Sequence, residues 1–302
     1  MKARCGFLLV LLAATPGCDR EPPRKTVRLT VESGSSPSPA AAPAVLRVGV
    51  GSVLSPRSTL RHYRDLIENL GERLDVPTEM VLRPNYSEMN ELLRQRYCMV
   101  GLLCDYAFVR AERDFGVEIL AAPQVAGEAT YRAYIIVGRD SPFRSLGDLA
   151  GKRFAYADPL CNAGWLYPIH RLRSLGDPAR TFFIGDIFTY DYEESIRAVA
   201  EGLVDAAGVE SPLYDSLTAQ GNPTALRTRI VDRSLPFGTP PVVVHPDLDP
   251  KLRARVQEFF LALDRDERGR RLLEAIAVDR FVVPQKGPYT PVFAMAEALE
   301  QR

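Results

Sequence analysis

The sequence has no excess of charge of either sign, because 38 Lys and Arg residues balance 38 Asp and Glu residues over 302 positions. A balanced chain has no overall field that draws it to nucleic acid, so no nucleic-acid partner is expected. Histidine is scarce, at three residues, and no group of His and Cys has the spacing of a metal site. No phosphate-binding loop or dinucleotide fingerprint occurs. We therefore expect neither a cofactor nor a metal.

Cysteine is too scarce for a disulfide framework, at five residues. Cys5 and Cys18 fall in an N-terminal segment, which leaves Cys98, Cys104 and Cys161. Cys98 and Cys104 lie in one predicted strand, where about 20 Å separates them, so they cannot bridge each other. Two interpretations stay open for these residues. They are small apolar core residues, or Cys104 and Cys161 form a bond.

The N-terminus carries an apolar run, "GFLLVLLAA" at residues 6–14, which is preceded by Lys2 and Arg4. The run is too short to span a bilayer but is typical of a signal peptide, which we place at residues 1–17. Gly17 directly precedes Cys18, an arrangement that resembles a bacterial lipoprotein processing box. The sequence predicts lipidation of Cys18, with an ordinary secretory signal as the alternative.

Residues 18–44 are rich in Pro, Ser and Ala and contain little to bury. Such a composition predicts a flexible tether. Together with a lipidated Cys18, the tether predicts a domain anchored in the periplasm or at an extracytoplasmic membrane face.

From Val45 onward the pattern is that of an α/β fold. "VLRVGVGSV", "TEMVLRP" and "CMVGLLC" predict strands, and "PRSTLRHYRDLIENLGERL" and "YSEMNELLRQR" predict helices between them. In the first helix the apolar positions with helical spacing are Leu60, Tyr63, Leu66, Ile67 and Leu70. This alternation predicts mostly parallel sheets with helices on both faces.

A second series of the same kind begins at "YRAYIIVGR", and the last strands and helices are too few to make a third core. We therefore predict two lobes, one from residues 45–131 plus 236–302 and the other from residues 132–235. The chain would cross between them near Tyr131 and Leu235. A cleft with two crossings is typical of a ligand site that closes by a hinge.

Several segments in this order resemble the substrate-binding proteins of phosphate, phosphite and phosphonate ABC importers. The most specific is "YRAYIIVGRDSPFRSLGDLAGKRFAYADPLCNAGWLYP" at residues 131–168, and "IRAVAEGLVDAAGVES" and "PPVVVHPDLDPKLRARV" follow the family as well. The resemblance implies a two-lobed periplasmic-binding-protein fold of the second topological type. It also implies capture of a small phosphonate- or phosphate-like oxyanion and its delivery to an ABC permease in the membrane.

In this family the turn after "DP" is a Ser-Thr-Ser-Gly run that holds the oxyanion at a helix N-terminus. The matching residues here are Cys161, Asn162, Ala163 and Gly164. Free N–H groups and the helix dipole still favour an anion at this place, but the hydroxyl donors of the family are absent.

Other positions of the family's pocket differ as well. Phe108 stands where the family has Tyr, although Tyr106 is close by; Tyr192 replaces a His; and Glu210 matches an acidic residue. The resemblance places two further aromatic side chains near the cleft, Tyr86 and Tyr131. With fewer donors, a larger, less charged or zwitterionic ligand is the alternative to phosphonate itself, with Glu210 accepting from an amine.

Catalysis is not expected. Cys161 at a helix start is a candidate nucleophile, but His170 lies nine residues further along, about 13.5 Å in a helix, and is out of reach as a base. Two other functions stay open from the sequence. The same fold can signal to a membrane receptor as a ligand-sensing lipoprotein, or it can serve as a scaffold.

Overall fold

The computed structural model of the chain describes residues 45–51, 56–176 and 182–300. The predicted signal peptide, the lipidation site at Cys18 and the tether lie outside these residues. Among the described helices, none has the length and apolar character needed to cross a membrane.

Strands and helices alternate through most of the described chain. The strands are β1 Leu46–Val50, β2 Thr78–Leu82, β3 Val100–Leu102, β4 Glu118–Gln124, β5 Thr130–Tyr131, β6 Ala133–Gly138, β7 Arg153–Tyr156, β8 Gly185–Phe188, β9 Ala206–Glu210, β10 Thr228–Arg233, β11 Phe237–Gly238, β12 Val242–Val244 and β13 Arg280–Val282. The α-helices are α1 Pro56–Leu74, α2 Tyr86–Arg94, α3 Asp105–Phe115, α4 Tyr167–Ser174, α5 Tyr192–Ala200, α6 Ser211–Ala219, α7 Pro250–Leu261, α8 Glu267–Ala275 and α9 Thr290–Glu300.

The larger strands form two sheets, of six strands in the order β13-β4-β12-β3-β1-β2 and of five strands in the order β10-β6-β9-β7-β8. We call the part built on the six-stranded sheet the first lobe and the part built on the five-stranded sheet the second lobe. The α/β fold is as expected, but both sheets are mixed rather than mostly parallel. β12 runs antiparallel to β3 and β4, and β6 runs antiparallel to β9 and β10. β6 and β12 each follow a crossing between the lobes. Each therefore enters its sheet from the opposite end and runs antiparallel to its neighbours.

The first helix shows how the apolar pattern produces the packing. Leu66 and Ile67 lie one helical turn before Leu70 on α1, and all three are almost completely buried against the first sheet. Leu60, which the pattern also assigned to this face, is 36% exposed. The prediction was wrong there, because the buried face of the helix passes through Thr59, which is 1% exposed, and leaves the neighbouring Leu60 outside it.

The two segments that pass between the lobes pair with each other. β5 and β11 form a short antiparallel ribbon in which Tyr131 is opposite Phe237 and Thr130 is opposite Gly238. We call this pair the hinge ribbon. The crossings near Tyr131 and Leu235 therefore lie side by side.

The C-terminal helix α9 contacts both lobes. Glu300 accepts from Arg113 of α3 at 2.7 Å, and Arg173 of α4 donates to the Ala298 carbonyl at 2.8 Å. The sequence predicts that residues 236–302 belong to the first lobe alone. In the structure, α9 is a third link between the lobes.

Candidate functional site

Two helix starts face each other where the lobes meet. In the first lobe, α3 begins at Asp105, three residues after β3 ends. In the second lobe, a π-helical turn at Asn162–Leu166 follows β7 and leads into α4. The lobes are also joined beside this point, because the Tyr86 amide donates to the Asp158 carboxylate at 3.1 Å. This arrangement puts Cys104 and Asp105 opposite Cys161 and Asn162.

Two glycines let the π-helical turn lie close to its sheet. A methyl group at Gly164 would lie 2.4 Å from the Ala157 Cβ, and one at Gly208 would lie 2.5 Å from the Ala163 carbonyl oxygen. Real Cβ atoms do not approach other atoms so closely, so both positions require glycine. The resemblance had located Gly164 and Ala163, but Gly208 on the neighbouring strand was missed.

The Asp105 carboxylate is the centre of the buried network. Its Oδ2 accepts from the Tyr131 hydroxyl at 2.9 Å and from Asn162 Nδ2 at 2.8 Å. Its Oδ1 accepts from the Tyr106 amide at 3.0 Å and from the Cys104 thiol at 3.0 Å. Four donors from both lobes thus surround one carboxylate, which the structure buries completely.

Sequence reasoning did not identify Asp105 as a site residue. An Asp in the first turn of a helix is commonplace, because the helix dipole favours it. The signal that could have found it is its position directly after a buried strand and inside a run of apolar residues, where an acid has no solvent.

Two acidic side chains in the cleft hold protons more tightly than usual. Burial raises the pKa of Asp105 to about 6, although its hydrogen bonds oppose this change. Burial raises the pKa of Glu210 to about 7, and the nearby charge of Asp105 adds to it. In the part of the chain that the structure describes, no Lys or Arg forms an ion pair with either carboxylate. The cleft therefore carries net negative character when both acids are ionised.

A thiol and several tyrosine hydroxyls lie beside the two acids. The Cys161 sulfur lies 2.8 Å from the Tyr192 hydroxyl and accepts from the Gly164 amide at 3.4 Å. Burial raises the pKa of Tyr86, Tyr131 and Tyr192 well above the ordinary value, so these hydroxyls stay protonated.

Asn162 is completely buried, and its two amide atoms differ in their bonding. Its Nδ2 donates to Asp105 and to the Tyr131 hydroxyl, the latter at 3.1 Å. Its Oδ1 has no hydrogen-bond partner among the described residues. A buried acceptor without a donor is costly, so this oxygen is the one unsatisfied polar atom of the network around Asp105 among the described residues.

A cavity of about 380 Å³ opens beside this network. Gly51, Leu103 and Pro240 line it from the first lobe, and Glu210 and Leu213 line it from the second. Its volume lies within the range of small-molecule sites, and its walls come from both lobes.

Two of the predicted site residues lie outside the network. The Tyr106 ring stacks on Trp165 of the second lobe, with centroids 6.1 Å apart and planes 10° apart, and its hydroxyl bonds to Arg110. Phe108 packs edge-on against two aromatic rings near α9, Tyr289 and Phe293. The structure brings the other predicted residues to the cleft or to the turn beside it, namely Tyr86, Tyr131, Cys161, Asn162, Ala163, Gly164, Tyr192 and Glu210.

The acids at the start of α5 lie in a helix N-terminal turn. The Asp191 carboxylate caps the helix by accepting from the amides of Glu193 and Glu194 at 2.8 and 3.2 Å. Glu194 also pairs with Arg197.

Two α/β lobes joined by paired crossings, with a cleft between them, define a periplasmic binding protein of the second topological type. Residues 48–289 match the family model described as ABC transporter, phosphonate, periplasmic substrate-binding protein. The chain belongs to this family.

Individual relatives are distant in sequence and similar in fold. The phosphonates-binding periplasmic protein of Escherichia coli K12 is 21% identical over 236 residues, which cover 76% of this chain and 70% of the relative. A binding protein component of an ABC phosphonate transporter from Pseudomonas aeruginosa superposes with a TM-score of 0.79 at 17% identity, covering 85% of this chain and 87% of that one. A Prochlorococcus marinus protein solved in complex with methylphosphonate gives 0.77 at 16% identity, with 85% and 99% covered.

Proposed function

We propose that this chain captures a small phosphonate- or phosphate-like oxyanion between its lobes and delivers it to the permease of an ABC importer. The observation that carries the proposal is the set of donors around the Asp105 carboxylate. Tyr131, Asn162 and the Tyr106 amide converge on one oxyanion at a helix start, and they come from both lobes. Donors of this kind suit any small oxyanion, and a ligand oxyanion would take them from the Asp105 carboxylate, which accepts all three in the structure.

The acids of the cleft narrow the class of ligand. Asp105 and Glu210 would repel a fully ionised phosphonate, and no cation among the described residues pairs with them. The Asn162 Oδ1 has no donor among the described residues, and the Glu210 carboxylate lines the cavity without an ion-pair partner there. The proposed ligand is therefore an oxyanion that also carries a donor, either a P–OH proton or an ammonium group.

Closure completes the site in this proposal. Residues 45–131 plus 236–302 and residues 132–235 would move as two lobes about the hinge ribbon. Asn162 and Glu210 belong to the second lobe, whereas Asp105 belongs to the first. A ligand would therefore have all of its partners only when the cleft is closed.

Calorimetry with the full chain tests the ligand class. Phosphate, phosphite, methylphosphonate and 2-aminoethylphosphonate are titrated separately into the wild-type chain and into an Asn162→Ala variant. We expect at least one to bind, and the variant to lose about tenfold in affinity, because one hydrogen bond to the ligand is worth about 1 kcal/mol or more.

Asn222→Ala is the matched control, because the Asn222 side chain accepts from the Thr224 and Ala225 amides within the second lobe, away from the cleft. It should bind like the wild type. Binding of carboxylates or sulfonates to the exclusion of all four phosphorus compounds would contradict the proposal, and so would equal binding by both Asn variants.

We also propose that Cys18 is lipidated and that residues 18–44 tether the binding domain to an extracytoplasmic membrane face. The proposal is supported by the signal-peptide pattern and by Gly17 directly before Cys18. Expressed in a Gram-negative host, the wild-type chain should fractionate with membranes. A Cys18→Ala variant should not, while Cys98→Ala should behave like the wild type. Equal membrane association of the Cys18→Ala chain would show that the anchor is elsewhere.

A further inference from the structure

Two cysteine thiols, one from each lobe, face each other across the cleft. Cys104 precedes the first residue of α3, and Cys161 precedes the π-helical turn. Their sulfur atoms are 3.9 Å apart, and the two residues are 4% and 0% exposed. The Asn162 amide also donates to the Cys104 sulfur at 3.4 Å, so the Cys104 sulfur lies against the helix start of the second lobe.

We propose that Cys104 and Cys161 form a reversible disulfide that joins the lobes and locks the cleft closed. A disulfide bond is about 2.05 Å long, so the two sulfurs need to approach by about 2 Å. Both residues are in extended backbone at the end of a loop, where rotation about one side-chain bond moves the sulfur. This inference rests on the geometry of the closed cleft and not on the identity of the ligand.

The oxidant is a disulfide compound, as is usual for thiol exchange outside the cytoplasm. The Cys104 thiolate attacks one sulfur of the compound, forms a mixed disulfide and expels one thiolate. The Cys161 thiolate then attacks the Cys104 sulfur and expels the second thiolate. Two electrons and two protons leave the protein, and the disulfide compound becomes two thiols.

The first attack has to occur with the cleft open. In the closed cleft, burial and the bond to Cys161 raise the pKa of the Cys104 thiol well above its ordinary value, so the thiolate is scarce. Opening would separate the helix starts and expose both sulfurs to solvent. Closure then brings the second thiol to the mixed disulfide. A molecule that contains the disulfide has therefore opened and closed its cleft at least once.

Cys98 provides an internal comparison. It is completely buried in the first lobe near Gly49, and burial raises its pKa to about 11. Of the cysteines that the structure describes, only Cys104 and Cys161 have the sulfur of another cysteine within 4 Å of their own. Substitution of Cys98 thus removes a buried thiol without touching the cleft.

Peptide mapping tests the bond directly. The full chain is reduced, then incubated with excess oxidised glutathione, alkylated and digested without reduction for mass spectrometry. We expect a linked pair of peptides that contains Cys104 and Cys161, is lighter than the two thiol peptides by two hydrogen atoms and disappears with dithiothreitol. Cys98→Ser should keep this pair, and Cys104→Ser should lose it. If Cys104 and Cys161 of the wild-type chain are alkylated or carry glutathione separately, the bond does not form and the proposal is overturned.

Hydrogen exchange tests whether the disulfide keeps the cleft closed. Amides of residues 161–166 should exchange at least tenfold more slowly in the oxidised chain than in the reduced chain, and reduction should reverse the change. Cys98→Ser should show the same difference. Equal exchange in the two redox states would overturn the locking, even with the bond in place. Because both measurements are made on the wild-type chain, they remain decisive if a serine variant fails to fold.

Discussion

Asp105 shows how tertiary packing changes the role of one residue. In the sequence it is an acid in the first turn of a helix, where the dipole stabilises its charge. In the folded chain it is buried between the lobes, and its carboxylate accepts from Tyr131 and Asn162. Its hydrogen bonds stabilise the ionised form less than the loss of water destabilises it, and the pKa of Asp105 therefore rises to about 6.

The raised pKa values of the two acids predict how stability depends on pH. The ordinary values are 3.8 for Asp105 and 4.5 for Glu210, and the folded values are about 6 and about 7. Between about pH 4 and pH 7 the folded state therefore holds more protons than the unfolded state. The free energy of unfolding should fall as pH rises through this window, by about 1–3 kcal/mol for each acid.

Denaturation in urea from pH 4 to pH 8 measures this slope. Asp105→Asn should flatten it, because the variant has no proton to lose at this place. Asp215→Asn is the control, since the Asp215 carboxylate accepts from the Tyr134 hydroxyl at 3.0 Å, away from the cleft. An unchanged slope in Asp105→Asn, or an equal change in Asp215→Asn, would show that other groups set the pH dependence.

At the scale of elements, the π-helical turn depends on the close packing of Gly164. An added methyl group would meet the Ala157 Cβ at 2.4 Å and the Ala157 backbone nitrogen at 3.0 Å, and backbone atoms cannot move aside easily. Gly164→Ala should therefore shift the turn, lower the free energy of unfolding by about 1–3 kcal/mol and weaken ligand binding at least tenfold.

Gly147→Ala is the matched control in the same lobe. A methyl group there would meet only the Ser145 hydroxyl oxygen, at 3.7 Å, which is ordinary contact. Thermal denaturation and calorimetry of both variants would separate the two cases. If Gly164→Ala keeps wild-type stability and binding, the close packing of the turn is not what holds the site in place.

The elements that the sequence predicted well have a strong local pattern. α1 has the helical spacing of apolar residues over 19 positions, and both of its ends match the prediction. The strand expected over residues 98–104 is shorter, at Val100–Leu102, because the flanking cysteines already belong to the loops that face other elements. α3, β4, β8, β10 and α9 were not predicted, although the Thr290-Pro291 pair at the start of α9 is a helix start signal. The directions of β6 and β12 could not be predicted, because the crossings between lobes determine them.

For the candidate site, the family resemblance located the turn at Cys161–Gly164, and local pattern located its helix. The partners of that turn come from elements distant in sequence, among them Asp105 and Gly208. One sequence has no signal for such contacts, because each partner has an ordinary local role. Cys161 and Asn162, which replace hydroxyl residues of the family, both contact the Cys104 sulfur. The sequence alone does not show these contacts.

At the scale of the described molecule, the two lobes are connected in more ways than the hinge ribbon. α9 packs between α3 and α4, and its C-terminal end bonds to both Arg113 and Arg173. A lobe rotation must therefore keep α9 with one lobe and break its bonds to the other. The resistance to opening is shared between these surface bonds, the Tyr86 to Asp158 bond and the buried network around Asp105.

The stack of Trp165 on Tyr106 has a practical consequence. Trp165 is the one tryptophan of the chain, and its ring lies in the second lobe against a tyrosine of the first. Indole fluorescence changes in wavelength and intensity when the ring gains water and loses an aromatic neighbour. Every molecule therefore carries its one tryptophan at the seam between the lobes, so the rate and the extent of any cleft motion can be followed in solution without attaching a dye.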